Sequence, residues 1–395
     1  MTCRTVTASP GYLPHKGYSK SQEANAGTLC GSNFAFMRLV NASVHSLIVL
    51  LLSIGVLLCA NVSQATTTTN RAAEFEPTMT MKAMLSDGTG KLELGEAPKP
   101  TPSGREILIE VFASGINRID TYMMKGAFGR VPVLGMEVSG RVVALGPDAG
   151  QFKVGDSVLA LLSDSGHAEF AVVDERHAMT VPKHLSFAHA AAIPEQWLTA
   201  FQLLHLVGEV QKGDRVLIHA GASGVGTTAI QLCRLAGAVP FVTAGSAEKI
   251  EKCKAVGAED GFNYKDTEHP WHEGILAATE GKGVDVILDC VGGTHANGNV
   301  AVLATDARWV LFGLMGGRSL PSGENFLGNI MRKRASLRST TLRMRSKEYK
   351  GHLVQRFSSE ILPHIGWCPV VVMSMLNRKS NPDFNSNLTW CLCSR

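Results

Sequence analysis

Apolar residues fall along this chain in short, glycine-bounded bursts. Arg215-Val-Leu-Ile218 leads into His219-Ala-Gly-Ala-Ser-Gly-Val-Gly226, then into a helix-permissive segment ending near Gly237. Val239-Pro-Phe-Val-Thr-Ala-Gly245, Gly283-Val-Asp-Val-Ile-Leu-Asp-Cys290 and Arg308-Trp-Val-Leu-Phe-Gly313 repeat the arrangement, with helix-permissive stretches such as 247–256 between them. A short unbroken apolar run suits a strand buried on both faces. Such strands, alternating with helices and closing on glycine, predict an α/β fold built on a doubly wound parallel sheet.

Upstream the period changes. Lys91-Leu-Glu-Leu94 and Glu106-Ile-Leu-Ile-Glu-Val-Phe112 alternate apolar and polar, as half-buried strands do. Val138 to Pro147 and Gly155 to Leu161 read as strand and turn, with glycine and proline at short spacing. This predicts a small β-barrel. Four regions follow: a leader over 1–78, a barrel domain over 79–195, a nucleotide domain over 196–345, and a tail over 346–395 that starts helical and becomes irregular.

The leader is poor in acids and carries the apolar run Leu47 to Ala60, with small residues at Ser63-Gln-Ala65. That run is short for a spanning helix and about right for a signal-peptide core. A secretory signal, a membrane anchor through 39–60, a transit peptide and an extension upstream of Met79 or Met81 all remain open. Composition narrows the rest. An apolar content of 45% and a charged content of 18% fit a globular body. A net charge of +4 is too mild to imply nucleic acid, and the basic stretch Arg332 to Lys350 reads as a solvated face. Of nine cysteines the body holds Cys233, Cys253 and Cys290, scattered; Cys391 and Cys393 have no partner pair. This is neither a disulfide framework nor a zinc cluster, and it suits a reducing compartment.

The first glycine turn carries the chemistry. Gly221, Gly224 and Gly226 let backbone amides approach a pyrophosphate, and the helix start adds unpaired N–H donors and a positive dipole end. The second strand ends in Thr243-Ala-Gly-Ser246-Ala-Glu-Lys249 where a cofactor lacking the 2′-phosphate would call for a dominant acid. Small residues and a lysine suit a 2′-phosphate, although Glu248 could turn toward the ribose.

A barrel followed by a nucleotide domain resembles the medium-chain dehydrogenase/reductase superfamily, and within it the zinc-free quinone oxidoreductases. The resemblance rests on Gly115-Ile-Asn-Arg-Ile-Asp-Thr-Tyr122, Leu134-Gly-Met-Glu-Val-Ser-Gly140, Ala192-Ile-Pro-Glu-Gln-Trp-Leu-Thr-Ala-Phe-Gln-Leu-Leu-His205, Gly213 to Gly226, Val242 to Ser246, Gly261-Phe-Asn-Tyr-Lys265, Ile287 to Gly293 and Arg308 to Gly317. It spans roughly 81–365. It implies a GroES-like barrel domain followed by a Rossmann domain, a cytoplasmic body, a homodimer and NADPH as cofactor. The cofactor residues it implies are Gly221, Ser223, Gly224, Val225, Gly226, Gly245, Ser246, Lys249, Tyr264, Gly313, Leu314 and Met315.

The resemblance also frames the reaction. The glycine-histidine-glutamate motif of zinc alcohol dehydrogenases is here Gly135-Met136-Glu137, and 79–195 contain no cysteine, so no metal is expected. His167, His177, His184 and His189 are then ordinary surface or core histidines. Without a metal, hydrogen bonds must polarise the substrate. Asn117 and Tyr122 are the candidate donors, and Thr199 matches a residue beside the nicotinamide. A buried asparagine closing a turn, a core tyrosine and a threonine bonded to its own helix are the structural alternatives. Hydride transfer to a quinone or other small electrophilic carbonyl is expected. An enone or enoyl-thioester reductase and an inactive nucleotide-binding isoform stand beside it. Two positions depart from the family. Phe128 replaces a frequent tyrosine near the pocket mouth, and the sequence after His364 carries no closing family motif. A replaced closing segment predicts an unpaired barrel edge.

Overall fold

The computed structural model describes residues 79–320, 325–365 and 374–375, all within the unit Pro77–Arg395. The leader, with segment 39–60, and the Cys391/Cys393 pair lie outside the described residues. No helix among the described residues is long and apolar enough to cross a membrane.

The first strands, β1 (Thr80–Ser86) and β2 (Leu92–Pro98), pair antiparallel around a turn in which Asp87 Oδ1 accepts from Thr89 N at 2.8 Å. The barrel sheet is built on β3 (Glu106–Gly115), flanked by β4 (Glu137–Leu145) and β6 (Phe170–Asp174). Next to β4 comes β5 (Ser157–Leu161), then β7 (Ala178–Thr180), all antiparallel. Alternation decides which face is buried: Ile107, Ile109 and Val111 of β3 meet Val138, Val142, Val158 and Val173 in one core. Helix α1 (Arg118–Met123) follows β3 directly, and α2 (Phe187–Ala190) leads to α3 (Pro194–Phe201), which starts on a proline and runs on into a π-helical turn, Gln202–Val207.

Six parallel strands form the second sheet: β8 (Arg215–Ile218), β9 (Val239–Ala244), β10 (Asp260–Asn263), β11 (Val284–Asp289), β12 (Leu303–Leu311) and β13 (Ser336–Ser339). Their order is β10-β9-β8-β11-β12-β13. The intervening helices are α4 (Gly224–Leu235), α5 (Ala247–Ala255), α6 (Trp271–Ala278), α7 (Ala296–Val302) and α8 (Phe326–Arg332). The strand order reverses between β8 and β11, the place where a doubly wound sheet opens a ligand crevice. Strand β12 begins at Leu303, five residues ahead of the apolar run that announced it, because Leu303 pairs with Val284 before a register shift.

Helix α9 (Lys347–Glu360) joins the core that ties the barrel strands to the parallel sheet. Its Phe357 ring lies 5.8 Å from that of Phe201, edge-on, and 6.3 Å from Trp197. The barrel edge expected to be bare is partly covered: β14 (Ser374–Met375) pairs antiparallel with Gly115 and Ser114 of β3.

Candidate active site

The apolar run of β8 delivers the chain to a turn at the carboxyl edge of the parallel sheet. Ser223 caps α4, its Oγ accepting from Gly226 N at 3.1 Å. The first amides of the helix, at Gly224 and Val225, are left without partners inside it, as at any helix start. Two glycines here are sterically required. A Cβ on Gly221 would meet Val242 Cβ at 2.5 Å, and one on Gly226 would meet the carbonyl oxygens of Ala220 and Gly221 at 2.5 Å. The left-handed conformation of the turn falls on Ala220 (φ +52°), a non-glycine residue under local strain.

Beside it, Ser246 caps α5 with its Oγ toward Lys249 N, and Lys249 is exposed. Glu248 is turned away: Lys252 Nζ donates to it at 2.9 Å along the helix. Tyr264 closes the other wall, its hydroxyl 2.9 Å from where a Cβ on Gly245 would sit. Gly245 thus keeps space between β9 and Tyr264. At the third wall Gly313 packs on the Cys290 carbonyl, a Cβ there falling at 2.8 Å from it, and Met315 N donates to the same carbonyl at 3.1 Å. Leu314 and Met315 remain about half-exposed at the crevice. The residues that resemblance selected for the cofactor therefore lie at or just after the carboxyl ends of β8, β9, β10 and β12.

Beneath this crevice runs a buried polar chain that sequence reasoning missed. Asp289 accepts from Val291 N (2.7 Å), Gly292 N (2.9 Å), Asn299 Nδ2 (3.0 Å) and Trp309 Nε1 (3.0 Å). Asn299 Oδ1 accepts from His219 Nε2 at 2.6 Å, so Thr243 Oγ1 donates to His219 Nδ1 at 2.9 Å. Burial holds the His219 imidazole below its ordinary pKa, which fits this neutral tautomer. The chain fixes the ends of β8, β9, β11 and β12 against one another. The only forewarning was polar residues inside otherwise apolar runs.

On the barrel side, Asn117 ends β3's return and opens α1. Its backbone N donates to Asp120 Oδ2 at 2.7 Å and its Nδ2 to Glu137 Oε1 at 2.8 Å. Glu137 is fully buried, and its other oxygen accepts from Glu195 N at 2.8 Å. Burial pushes the Glu137 carboxyl up to about 8 against these two N–H groups, with Glu195 and Asp120 raising it further. Glu195 is pushed up to about 7, again by burial first and then by Asp120, while Lys350 and Arg343 pull it down. Glu195 Oε2 is buried with no hydrogen-bond partner among the described residues. His167 is a buried core histidine, with Nδ1 meeting Ser114 Oγ at 2.7 Å and Nε2 3.8 Å from Asp120. His177, His184 and His189 make simple contacts to Lys347 O, Ile365 O and Ser186 Oγ.

Tyr122 is 40% exposed, so it does not pack the core; Arg118 Nε approaches its hydroxyl at 3.4 Å. The Thr199 hydroxyl is buried and makes no bond to its own helix or to any other described residue. An unpartnered buried hydroxyl is costly, about 1–3 kcal/mol, unless a ligand completes it. No group of three or more His, Cys, Asp or Glu that could hold a metal occurs among the described residues. An amide at Asn117 and a thioether at Met136 make no zinc donor set. A groove of about 560 Å³ lined by Arg215, Val239, Phe241 and Asp260 lies at the amino ends of the strands, the edge opposite the glycine crevice.

Comparison with known proteins agrees with this architecture. Residues 103–202 match the alcohol dehydrogenase GroES-like domain and residues 224–359 the zinc-binding dehydrogenase family. A mycobacterial quinone oxidoreductase is 30% identical and superposes over 72% of this chain and 89% of its own, with a TM-score of 0.63. The Escherichia coli quinone oxidoreductase complexed with NADPH is 29% identical over 72% and 87%, at a TM-score of 0.62. The CurK enoyl reductase is 29% identical over 71% and 86%, at a TM-score of 0.61. A putative inactive phenolphthiocerol synthesis polyketide synthase of Mycobacterium tuberculosis is 37% identical over 219 residues, 55% of this chain, although the chain spans only 13% of that protein's length. With both domains matched in order and a 30% identical quinone oxidoreductase covered over 89% of its length, the chain belongs to the medium-chain dehydrogenase/reductase superfamily of nicotinamide-dependent oxidoreductases.

Proposed function

We propose that this oxidoreductase reduces quinones at the expense of NADPH, without a metal, and that it is of the tumour-suppressor-inducible quinone oxidoreductase kind. The observation that carries the reading is Asn117, whose Nδ2 spends one hydrogen on the buried Glu137 at 2.8 Å and keeps the other for a substrate oxygen. Bound NADPH supplies the hydride. The chain supplies the rest. The start of α4 holds the pyrophosphate, and Ser246, Lys249 and Tyr264 receive the 2′-phosphate, with Glu248 withdrawn onto Lys252. Asn117 and Thr199 donate to the polar groups that face the reacting carbons, so that the quinone oxygen gains charge against a fixed dipole. A proton from water or from Tyr122 completes the hydroquinone.

The likeness to the CurK enoyl reductase and to polyketide synthases favours a second reading, in which the same donors hold an enolate formed from an enone or enoyl thioester. Loss of reduced-nicotinamide absorbance decides between them. With NADPH, 1,2-naphthoquinone is expected to turn over much faster than crotonyl-coenzyme A. The opposite order would replace the first reading by the second, and no turnover of either would remove both.

A further inference from the structure

Arg343 precedes α9 by four residues and reaches back across the barrel-side site. Its Nη1 donates to the Ser163 carbonyl and touches Met123 Sδ at 3.3 Å and Met136 Sδ at 3.2 Å. The guanidinium lies over the Phe128 ring, 5.1 Å from its centroid. Met123 and Met136 are fully buried, whereas Phe128 is 46% exposed, so the group has an apolar floor and an open side. Nε and Nη2 make no hydrogen bond among the described residues. These two N–H groups form the side-on fork of a guanidinium, the geometry that takes a carboxylate-like group through two parallel bonds.

Two cations and one carboxyl stand around the fork. Lys350 is buried behind it, its Nζ donating to the Arg343 carbonyl at 3.0 Å. The facing carboxyl is Glu195, beyond ion-pair contact with either cation; both cations lower its pKa, while burial and Asp120 raise it. No carboxylate among the described residues pairs with Arg343. A cation held in place by a carbonyl, two sulfurs and a ring, with its fork unused, serves recognition better than folding.

We propose that Arg343 and Phe128 form an anion clamp at the mouth of the substrate pocket, selecting planar carbonyl substrates that carry a carboxylate, sulfonate or similar oxyanion. The clamp deepens the quinone-reductase reading by naming the substrate class. Phe128 gives the guanidinium a flat face to stack on, and the ring of a planar substrate continues that surface. The exposed side admits the anion without burying an unpaired charge.

The test compares two probes on the NADP⁺-loaded protein by calorimetry: 1,4-naphthoquinone and 1,4-naphthoquinone-2-sulfonate. The clamp predicts that the sulfonate binds about tenfold tighter or more at low salt. The ratio should fall toward one in Arg343→Met, stay intermediate in Arg343→Lys, and shrink for the wild type as salt is raised. Because both probes are read on the same sample, a general loss of folded protein leaves the ratio unmoved. Where Arg343→Met does not fold, Phe128→Ala serves instead and should lower the ratio about threefold or more. A wild-type ratio near one, or a ratio unchanged by Arg343→Met or by salt, overturns the clamp. Turnover with NADPH is followed on the same preparations. Discrimination without turnover keeps the clamp and removes the quinone-reductase reading; turnover without discrimination does the reverse.

Discussion

Glu137 sets a pH dependence that can be worked from the structure. It is fully buried between β4 and α3, with Asn117 Nδ2 and Glu195 N on its two oxygens. Burial outweighs those donors and pushes its carboxyl from 4.5 up to about 8. The folded protein therefore keeps a proton that the unfolded chain releases. The stability this contributes is complete below about pH 4.5 and is lost as pH rises through about 8. At about 1.4 kcal/mol for each pH unit, the loss approaches about 5 kcal/mol, against a typical margin of about 5–15 kcal/mol. Glu195, pushed up to about 7, acts in the same direction. Glu137→Gln keeps the shape and removes the proton, but it sets an amide NH2 against one of the two N–H donors, which costs about 1–3 kcal/mol. The variant should be less stable than the wild type at pH 5 and more stable above pH 8, with the curves crossing between about pH 5 and 7. Urea denaturation at fixed temperature from pH 5 to 9 measures this. Parallel curves would show that Glu137 does not hold the proton, and the account of the buried pair would fail.

The remaining expectations concern cofactor, chemistry and assembly. Lys249→Ala should cut the preference for NADPH over NADH by one to two decades, since a charge-assisted phosphate contact contributes about 1.5–3 kcal/mol; fluorescence titration with both cofactors checks it. Asn117→Ala should lower kcat for a quinone by about a hundredfold or more, as loss of an oxyanion donor does, with far less change in KM in steady-state assays. Strand β13 is the edge of the parallel sheet and presents Leu337, 48% exposed. If a second copy pairs there, Leu337→Lys should convert a dimer to a monomer by light scattering, and a wild-type monomer would refute the pairing.

Much of the fold was legible because it is written in local pattern. The unbroken run Val216-Leu-Ile218 is buried on both faces, as its composition demands. The glycines after it are fixed by contacts with neighbours a few residues or one strand away, so turn chemistry alone located them. The helix-permissive stretch 247–256 became α5, and α4 ends just before Gly237, as the glycine had marked. Less local features were hidden. The start of β12 at Leu303 depends on its pairing with Val284, and the π-helical turn after α3 has Gly208 N reaching back to Leu203 O, with no glycine or proline inside it to mark it.

The site divides along the same line. Asn117, Tyr122 and Thr199 were nameable because they sit in short motifs, yet the property that distinguishes each is not in the motif. Asn117 is oriented by Glu137, 20 residues on. Thr199 matters because its hydroxyl finds no partner, and Tyr122 because it faces outward. Arg343 lies 207 residues from Met136 and was read as part of a solvated basic face. A sequence shows that methionine stands where a zinc-dependent relative would place histidine; it does not show that a guanidinium has been brought to that methionine. The exchange is chemically coherent. A thioether tolerates a weakly hydrated cation against it, whereas a histidine ligand would compete for the same space and charge. With a fixed organic cation in place of a donor set, the proposed clamp would offer a directional fork for an oxyanion, and the proposed reaction would leave the polarising of the carbonyl to Asn117 and Thr199.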